Sequence, residues 1–159
     1  MLFQLSAQQF PNAIQTTAIP EEYADIALLH HKINVTIDDA CTLIHQTIQD
    51  QGYSFWINNF FINRPLSLYV LPMEKMYSLY YSIENVVRFS IPGEVKKIPP
   101  KEFCLLELSP GFHYGKFDKG TYRSLHITVD EPNKEILQDR EYVAALLREH
   151  YLNSAFQPQ

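Results

Sequence analysis

Hydrophobic and polar residues alternate in short runs through most of the chain, which is the pattern of β-strands whose two faces meet different surroundings. The runs are rich in β-branched and aromatic residues, and Gly, Pro, Asn and Asp separate them with turn chemistry. About eight strands are predicted: Cys41 to Ile48, Tyr53 to Ile62, Leu66 to Leu71, Met76 to Ile83, Val86 to Ile91, Phe103 to Leu108, Phe112 to Phe117 and Tyr122 to Val129. Such spacing predicts a mainly β domain, either a sandwich or a small barrel.

The period changes after Asp130. Asp130 is predicted to cap one helix and Asp139 a second, which gives an antiparallel helix pair at the end of the β domain. One side of the second helix is apolar, and we expect it either to cover the barrel or to meet a second copy of the chain. The candidate dimer-interface residues on it are Tyr142, Val143, Leu146, Leu147 and Tyr151.

Before the first predicted strand the pattern is ambiguous. Pro20 followed by Glu21 and Glu22 is typical of a helix first turn leading into residues 23–31, but a strand through residues 24–35 fits the same letters. We therefore divide a single domain of 1–159 into a lead-in or arm (1–35), a β-barrel (36–130) and a helical tail (131–152).

Composition narrows the classes of function. The 159 residues carry thirteen Lys and Arg against eighteen Asp and Glu, a formal net charge of −5, so a surface that neutralises phosphates is not expected and this part of the protein is not expected to touch nucleic acid. No apolar run is long enough to span a membrane and no basic start precedes an apolar block, which favours a cytoplasmic protein. Cys41 and Cys104 lie far apart in apolar segments, and buried free thiols are expected rather than a disulfide.

Signals of catalysis are weak. The sequence has no Gly-x-Ser-x-Gly elbow and no Gly-rich phosphate loop, and its six histidines lack metal-ligand spacing. No cofactor and no catalytic residue are expected. If a metal is bound, His113 and His126 are its most plausible ligands.

The predicted strand through residues 121–130 has one largely apolar face and one polar, uncharged face, and aromatic residues recur on neighbouring strands. Aromatic walls with a few polar groups are what a small-molecule pocket needs, although aromatics that simply fill a small barrel give the same pattern. The candidate ligand-binding residues are Trp56, Tyr69, Tyr80, Tyr122, Ser124 and His126.

The stretch from Pro65 to Val129 resembles the amino-terminal regulatory domain of AraC-type transcription regulators. The residues that carry the resemblance are the strand Met76 to Ile83, the segment from Glu102 to His113, and above all the run Lys119-Gly120-Thr121-Tyr122-Arg123-Ser124-Leu125-His126-Ile127. The resemblance implies a cupin-like jelly-roll barrel, helices that make a homodimer, and a small-molecule effector, with a sugar as one candidate. It also implies that DNA is bound through a separate helix-turn-helix domain, absent from these 159 residues.

Two other classes of function stay open. The first is a cupin-type enzyme, an isomerase or dioxygenase that uses His113, His126 and a carboxylate; against it, residues 66–93 contain no histidine, where metal-binding cupins carry ligands. The second is a ligand-free structural dimerisation module, which a barrel interior filled by side chains would favour.

Overall fold

The computed structural model describes residues 1–152, which form eleven strands and a short helical tail. The strands are β1 (Ile14–Thr16), β2 (Lys32–Asp38), β3 (Cys41–Asp50), β4 (Tyr53–Ile62), β5 (Leu66–Val70), β6 (Met76–Glu84), β7 (Val87–Ile91), β8 (Glu94–Ile98), β9 (Phe103–Leu108), β10 (His113–Phe117) and β11 (Gly120–Asp130). The domain is therefore mainly β, as the alternation predicted. Within the described part of the chain, no helix has the length and apolar character needed to cross a membrane.

The strands form two antiparallel sheets that face each other. One sheet has the order β1-β2-β3-β4-β11-β6-β9 and the other β5-β10-β7-β8. Strands β4 to β11 have the strand order of a jelly roll, in which successive strands change sheet except for the hairpin of β7 and β8, and β1 to β3 extend the first sheet beyond it.

The predicted count of about eight strands is too low, because β1 and β8 were missed and β2 was only in part covered by the alternative strand through residues 24–35. β1 has only three residues. β8, with the sequence EVKKI, is a charged edge strand, and edge strands commonly carry charges that block further pairing.

The lead-in contains neither of its predicted elements in full. A 3-10 segment covers Glu21–Ile26 behind Pro20, and its Tyr23 amide donates to the Pro20 carbonyl oxygen at 2.9 Å. It stops because Ala27 is extended, and β2 then begins at Lys32, so the expected barrel boundary at residue 35 falls inside a strand.

Both predicted caps are present in the tail. Asp130 accepts from the Asn133 amide at the start of a 3-10 segment (Glu131–Gln138), and Asp139 accepts from the Tyr142 amide at the start of α1 (Arg140–Leu147). A π-helical turn, Arg148–Leu152, follows α1. The predicted antiparallel helix pair is thus one 3-10 segment and one short α-helix.

The large sheet carries a hydrophobic core on each face. The interior core lies between the two sheets and includes Phe3, Phe60, Phe89 and Phe117. The outer core lies between the large sheet and the tail, and includes Phe55 and Ile127 of the sheet and Val143 and Leu146 of the tail. β11 separates them, because its alternate residues point to opposite faces. Both cysteines are free: Cys41 is buried on β3, whereas Cys104 on β9 is partly exposed.

Candidate functional site in the barrel interior

Polar residues from four neighbouring strands meet in the interior. His45, Asn58, Ser124 and Ser82 are successive cross-strand partners on β3, β4, β11 and β6, and all four are buried. We call these four residues the inner polar row. Asn58 Nδ2 lies 3.1 Å from Ser124 Oγ, to which it donates a hydrogen bond.

Two residues further along the same strands lies an aromatic row, which we define as Trp56, His126 and Tyr80. The His126 ring lies between the other two, with centroids 5.5 Å from Trp56 and 5.8 Å from Tyr80 and interplanar angles of 12° and 14°. Asn58 Nδ2 also donates to His126 Nδ1 at 3.0 Å, which joins the aromatic row to the inner polar row.

Burial keeps these histidines uncharged. It lowers the pKa of His45 to about 3 and holds the pKa of His126 well below its usual value. In the same surroundings, burial raises the pKa of Tyr80 to about 12. The buried Met1 amino group lowers the pKa of both histidines further, and burial holds its own pKa well below its ordinary value. The interior is therefore polar and disfavours positive charge.

Several buried polar atoms of the two rows lack a hydrogen-bond partner among the described residues. By geometry they are His45 Nδ1, Asn58 Oδ1 and His126 Nε2. The His126 ring also interacts with the Met1 backbone, which favours its charged form but is outweighed by burial. Whichever way the Asn58 amide is turned, one of its ends is unpaired. Buried groups of this kind usually have partners, so their clustering marks the place where a polar ligand would fit.

Phe3 fills the space beside these groups. Its side chain is 1% exposed and packs against the rings of Phe60 at 5.4 Å, Tyr80 at 6.4 Å and His126 at 6.5 Å. Its backbone amide donates to His45 Nε2 at 3.1 Å. The segment that carries it is held on β5 by two backbone hydrogen bonds between Gln4 and Tyr69.

An open cavity of about 570 Å³ lies at one end of the barrel. Ser54 and Thr128, which line it, are two residues from Trp56 and His126 on the same strands, and Trp56 Nε1 donates to Ser54 Oγ. The cavity also reaches Met76, Lys75 and Asp130. The cavity thus begins at the row of residues that follows the aromatic row on the side away from the inner polar row.

Four of the six predicted ligand-binding residues come together in this region: Trp56, Tyr80, Ser124 and His126. Tyr122 lies in the interior core with its hydroxyl bonded to the Asp118 backbone, where it closes a turn. Tyr69 lies half-buried against Phe112, and its cross-strand partner Tyr114 is exposed. The structure therefore does not bring Tyr69 to the site.

Phe3 and His45 were missed as site residues. Met1, Phe3 and Leu5 are buried and alternate with the less buried Leu2 and Gln4, but the residue types themselves do not alternate because Leu2 is apolar, so this strand-like segment was not evident from the sequence. His45 lies in a predicted strand, but only the register with Asn58 shows that the two face each other.

The two suggested metal ligands lie in different sheets. His113 on β10 hydrogen-bonds through Nε2 to the Ser109 carbonyl oxygen at 2.7 Å, whereas His126 lies on β11. Residues 1–152 contain no cluster of three or more His, Cys, Asp or Glu residues that could hold a metal ion.

The candidate dimer residues divide between the two sides of the tail. Val143 and Leu146 are buried in the outer core, and Leu147 and Tyr151 pack against it. Tyr142 is 38% exposed and meets the ring of Tyr53 at 6.4 Å. Val143 and Leu146 thus cover the chain's own sheet, which leaves Tyr142 as the most accessible of the five.

No protein-family model matches the chain, and no curated protein matches it in sequence. Solved structures similar to it include the cupin domain of an XRE-family transcriptional regulator from Enterobacter cloacae, with 12% identity, a TM-score of 0.46 and coverage of 59% of this chain and 99% of that one. A cupin superfamily protein from Desulfitobacterium hafniense has 11% identity, a TM-score of 0.42 and coverage of 60% and 82%. An HTH_3-family transcriptional regulator from Vibrio cholerae has 7% identity, a TM-score of 0.43 and coverage of 55% and 50%. At these values the comparisons establish neither the family nor the function of the chain.

Proposed function

We propose that this chain is the ligand-sensing and dimerisation domain of an AraC-type transcription regulator, and that it controls a DNA-binding domain outside these 159 residues. The effector is a small, neutral, hydroxyl-bearing molecule such as a sugar. The observation that carries the proposal is the cluster of unpaired polar atoms on His45, Asn58 and His126 inside an aromatic-walled interior.

The chemistry of the unpaired atoms selects the class of effector. His45 Nδ1, His126 Nε2 and one end of the Asn58 amide are left for a ligand, and His45 Nε2 joins them once Phe3 is displaced. Each imidazole nitrogen donates or accepts according to its tautomer, and the free end of the amide does one or the other according to its orientation. A hydroxyl both donates and accepts, so a polyol satisfies these groups in either arrangement.

Phe3 occupies the volume that such an effector needs. The proposed mechanism is a population shift between a state in which Phe3 fills the interior and a state in which the effector does. When the effector enters, Phe3 leaves and the lead-in loses its bond to His45. The change then reaches the attached DNA-binding domain through the lead-in or through the tail.

Dimerisation through the tail is part of the proposal. The tail is tied to the barrel by a 2.9 Å hydrogen bond between His150 Nε2 and the Tyr53 hydroxyl, while Tyr142 is available to a second copy. A dimer built this way presents two DNA-binding domains in a fixed relation.

The test is a thermal-shift titration with neutral pentoses and hexoses at millimolar concentration. We expect at least one sugar to raise Tm, because a ligand that binds only the folded state stabilises it. In Asn58→Ala the shift should disappear, whereas in the exposed control Asn12→Ala it should persist.

Two outcomes contradict the proposal. A flat Tm across the sugars argues for a structural dimerisation module. A shift with a transition-metal salt in place of a sugar argues for the metal-dependent enzyme.

A further inference from the structure

The small sheet has an outer face with a row of positive charges. Lys116 on β10, Arg88 on β7 and Lys97 on β8 are direct cross-strand partners. Neighbouring strands are about 4.8 Å apart, and like charges placed directly opposite each other are destabilising. Arg88 pairs with Asp118 at 3.3 Å, while Lys97 and Lys116 form no ion pair within the described residues. The fold thus keeps three neighbouring cations on an exposed surface with one carboxylate between them.

Aromatic rings lie beside this row on the same face. Tyr114 lies two residues before Lys116 in the chain and is the cross-strand partner of Tyr69. Phe112 lies two residues before Tyr114. The rings of Phe112 and Tyr114 are nearly parallel, with an interplanar angle of 15° and centroids 6.4 Å apart, and Phe112 meets Tyr69 at 5.3 Å. Phe112 is 58% exposed and Tyr114 is 48% exposed. Exposed rings grouped in this way commonly mark an interaction site.

We infer that this outer aromatic-basic face binds single-stranded nucleic acid. Single strands are held by cations along the backbone and by aromatic rings on which the bases stack, and this face presents the two side by side. A duplex hides the faces of its bases, so only a single strand uses both features. The site goes beyond the proposed function and does not depend on it, since no residue of the barrel interior takes part.

The charge of the whole chain does not contradict this site. The net charge of −5 argues against binding through a general positive field, and it is an average over the chain. Here the positive charges are concentrated in one row, which restricts binding to this face. The affinity is then expected to be modest and strongly dependent on salt.

The experiment measures the fluorescence anisotropy of a labelled oligothymidylate titrated with the 159-residue chain at low ionic strength. Lys97→Gln/Lys116→Gln should weaken binding at least tenfold and lower the salt slope by about 1.4, because each phosphate that a cation neutralises on a single strand adds about 0.7 to that slope. The matched control Lys32→Gln/Arg64→Gln removes two exposed cations elsewhere and should leave both quantities unchanged.

Phe112→Leu/Tyr114→Leu tests the stacking. It keeps all the charges but removes two rings, and should weaken binding by about fivefold or more with the salt slope unchanged. Unchanged Tm values establish that the variants are folded.

The inference is overturned if the oligothymidylate does not bind at low salt, or if the leucine variant binds as well as the parent chain. It is also overturned if a duplex or a sulfated polysaccharide competes as strongly as the single strand, because the face then recognises charge alone.

Discussion

The backbone amide of Phe3 donates a hydrogen bond to Nε2 of His45 across 3.1 Å, so one bond joins the amino-terminal segment to the inner polar row. The bond requires an unprotonated Nε2. The position of Phe3 in the interior therefore depends on the protonation state of His45.

The stability of the fold should fall as the pH falls below about 8, the ordinary pKa of the buried Met1 amino group, and more steeply below about 6.5, the ordinary histidine pKa. Burial lowers the pKa of His45 to about 3 and lowers that of His126, so in this range the unfolded chain binds protons that the folded chain does not. Each histidine contributes a loss of about 1.4 kcal/mol per pH unit. Urea unfolding between neutral pH and mildly acidic pH measures this slope.

His45→Gln should lower that slope by about 1.4 kcal/mol per pH unit and leave the contribution of His126, because glutamine keeps an acceptor for the Phe3 amide but does not titrate. His30→Asn, at an exposed position with positive φ, is the control and should keep the slope of the parent chain. A parent-like slope in His45→Gln would show that this histidine does not set the pH dependence.

Phe3→Ala should lower the free energy of unfolding by about 3 kcal/mol, the lower end of the range for a buried phenylalanine, since the short segment can detach. Phe112→Ala, which truncates an exposed ring, should change it by about 0.5 kcal/mol or less. Chemical denaturation compares the two. Equal effects would mean that Phe3 is not an integral part of the interior core.

Removing Phe3 should also strengthen the effector response. In the proposed mechanism the effector competes with this ring, so the sugar-induced rise in Tm should be larger in Phe3→Ala than in the parent chain. A smaller rise would indicate that Phe3 contacts the effector rather than competing with it.

Leu146→Glu should abolish cooperative folding, because it places an unpaired charge in the outer core, where Leu146 is 4% exposed. Tyr142→Glu should leave the circular dichroism spectrum intact and convert the proposed dimer to monomer in sedimentation. A folded, dimeric Tyr142→Glu chain would place the dimer contact elsewhere.

Replacing polar residues of the interior by apolar ones of similar size should raise stability while removing function. Asn58→Val/His126→Leu eliminates two unpaired polar atoms together with the hydrogen bond between the two residues. Ser124 Oγ loses Asn58 as a donor but keeps its hydrogen bond with Tyr80. Urea unfolding should give a free energy at least equal to that of the parent chain, and the sugar titration should give no shift. A large loss of stability would mean that the two residues serve the fold alone.

The alternation of β11 made part of the site predictable. Its polar face, with Ser124 and His126, does line the interior, and Trp56 and Tyr80 are the cross-strand partners that flank His126. Alternate residues of a strand belong to opposite faces, but both faces of β11 are buried. The sequence therefore did not show which of the two faces lines the interior.

The rest depended on pairings between residues far apart in sequence. Phe3 lies 42 residues from His45, and the bridge between Gln4 and Tyr69 spans 65 residues. No local propensity encodes such pairings, and they set the shape of the interior. The helical tail differed for a local reason, because the extended backbone of Asp139, which caps α1, ends the first segment at Gln138.

β11 also forms a shared wall between two compartments. Ser124 and His126 project into one, while Leu125 and Ile127 project into the other, where the tail is anchored. An effector that displaces Ser124 and His126 also tilts the peptide planes that carry Leu125 and Ile127. In the proposed mechanism, communication across this domain needs no hinge and no long relay, since the effector and the tail lie on opposite sides of a single backbone.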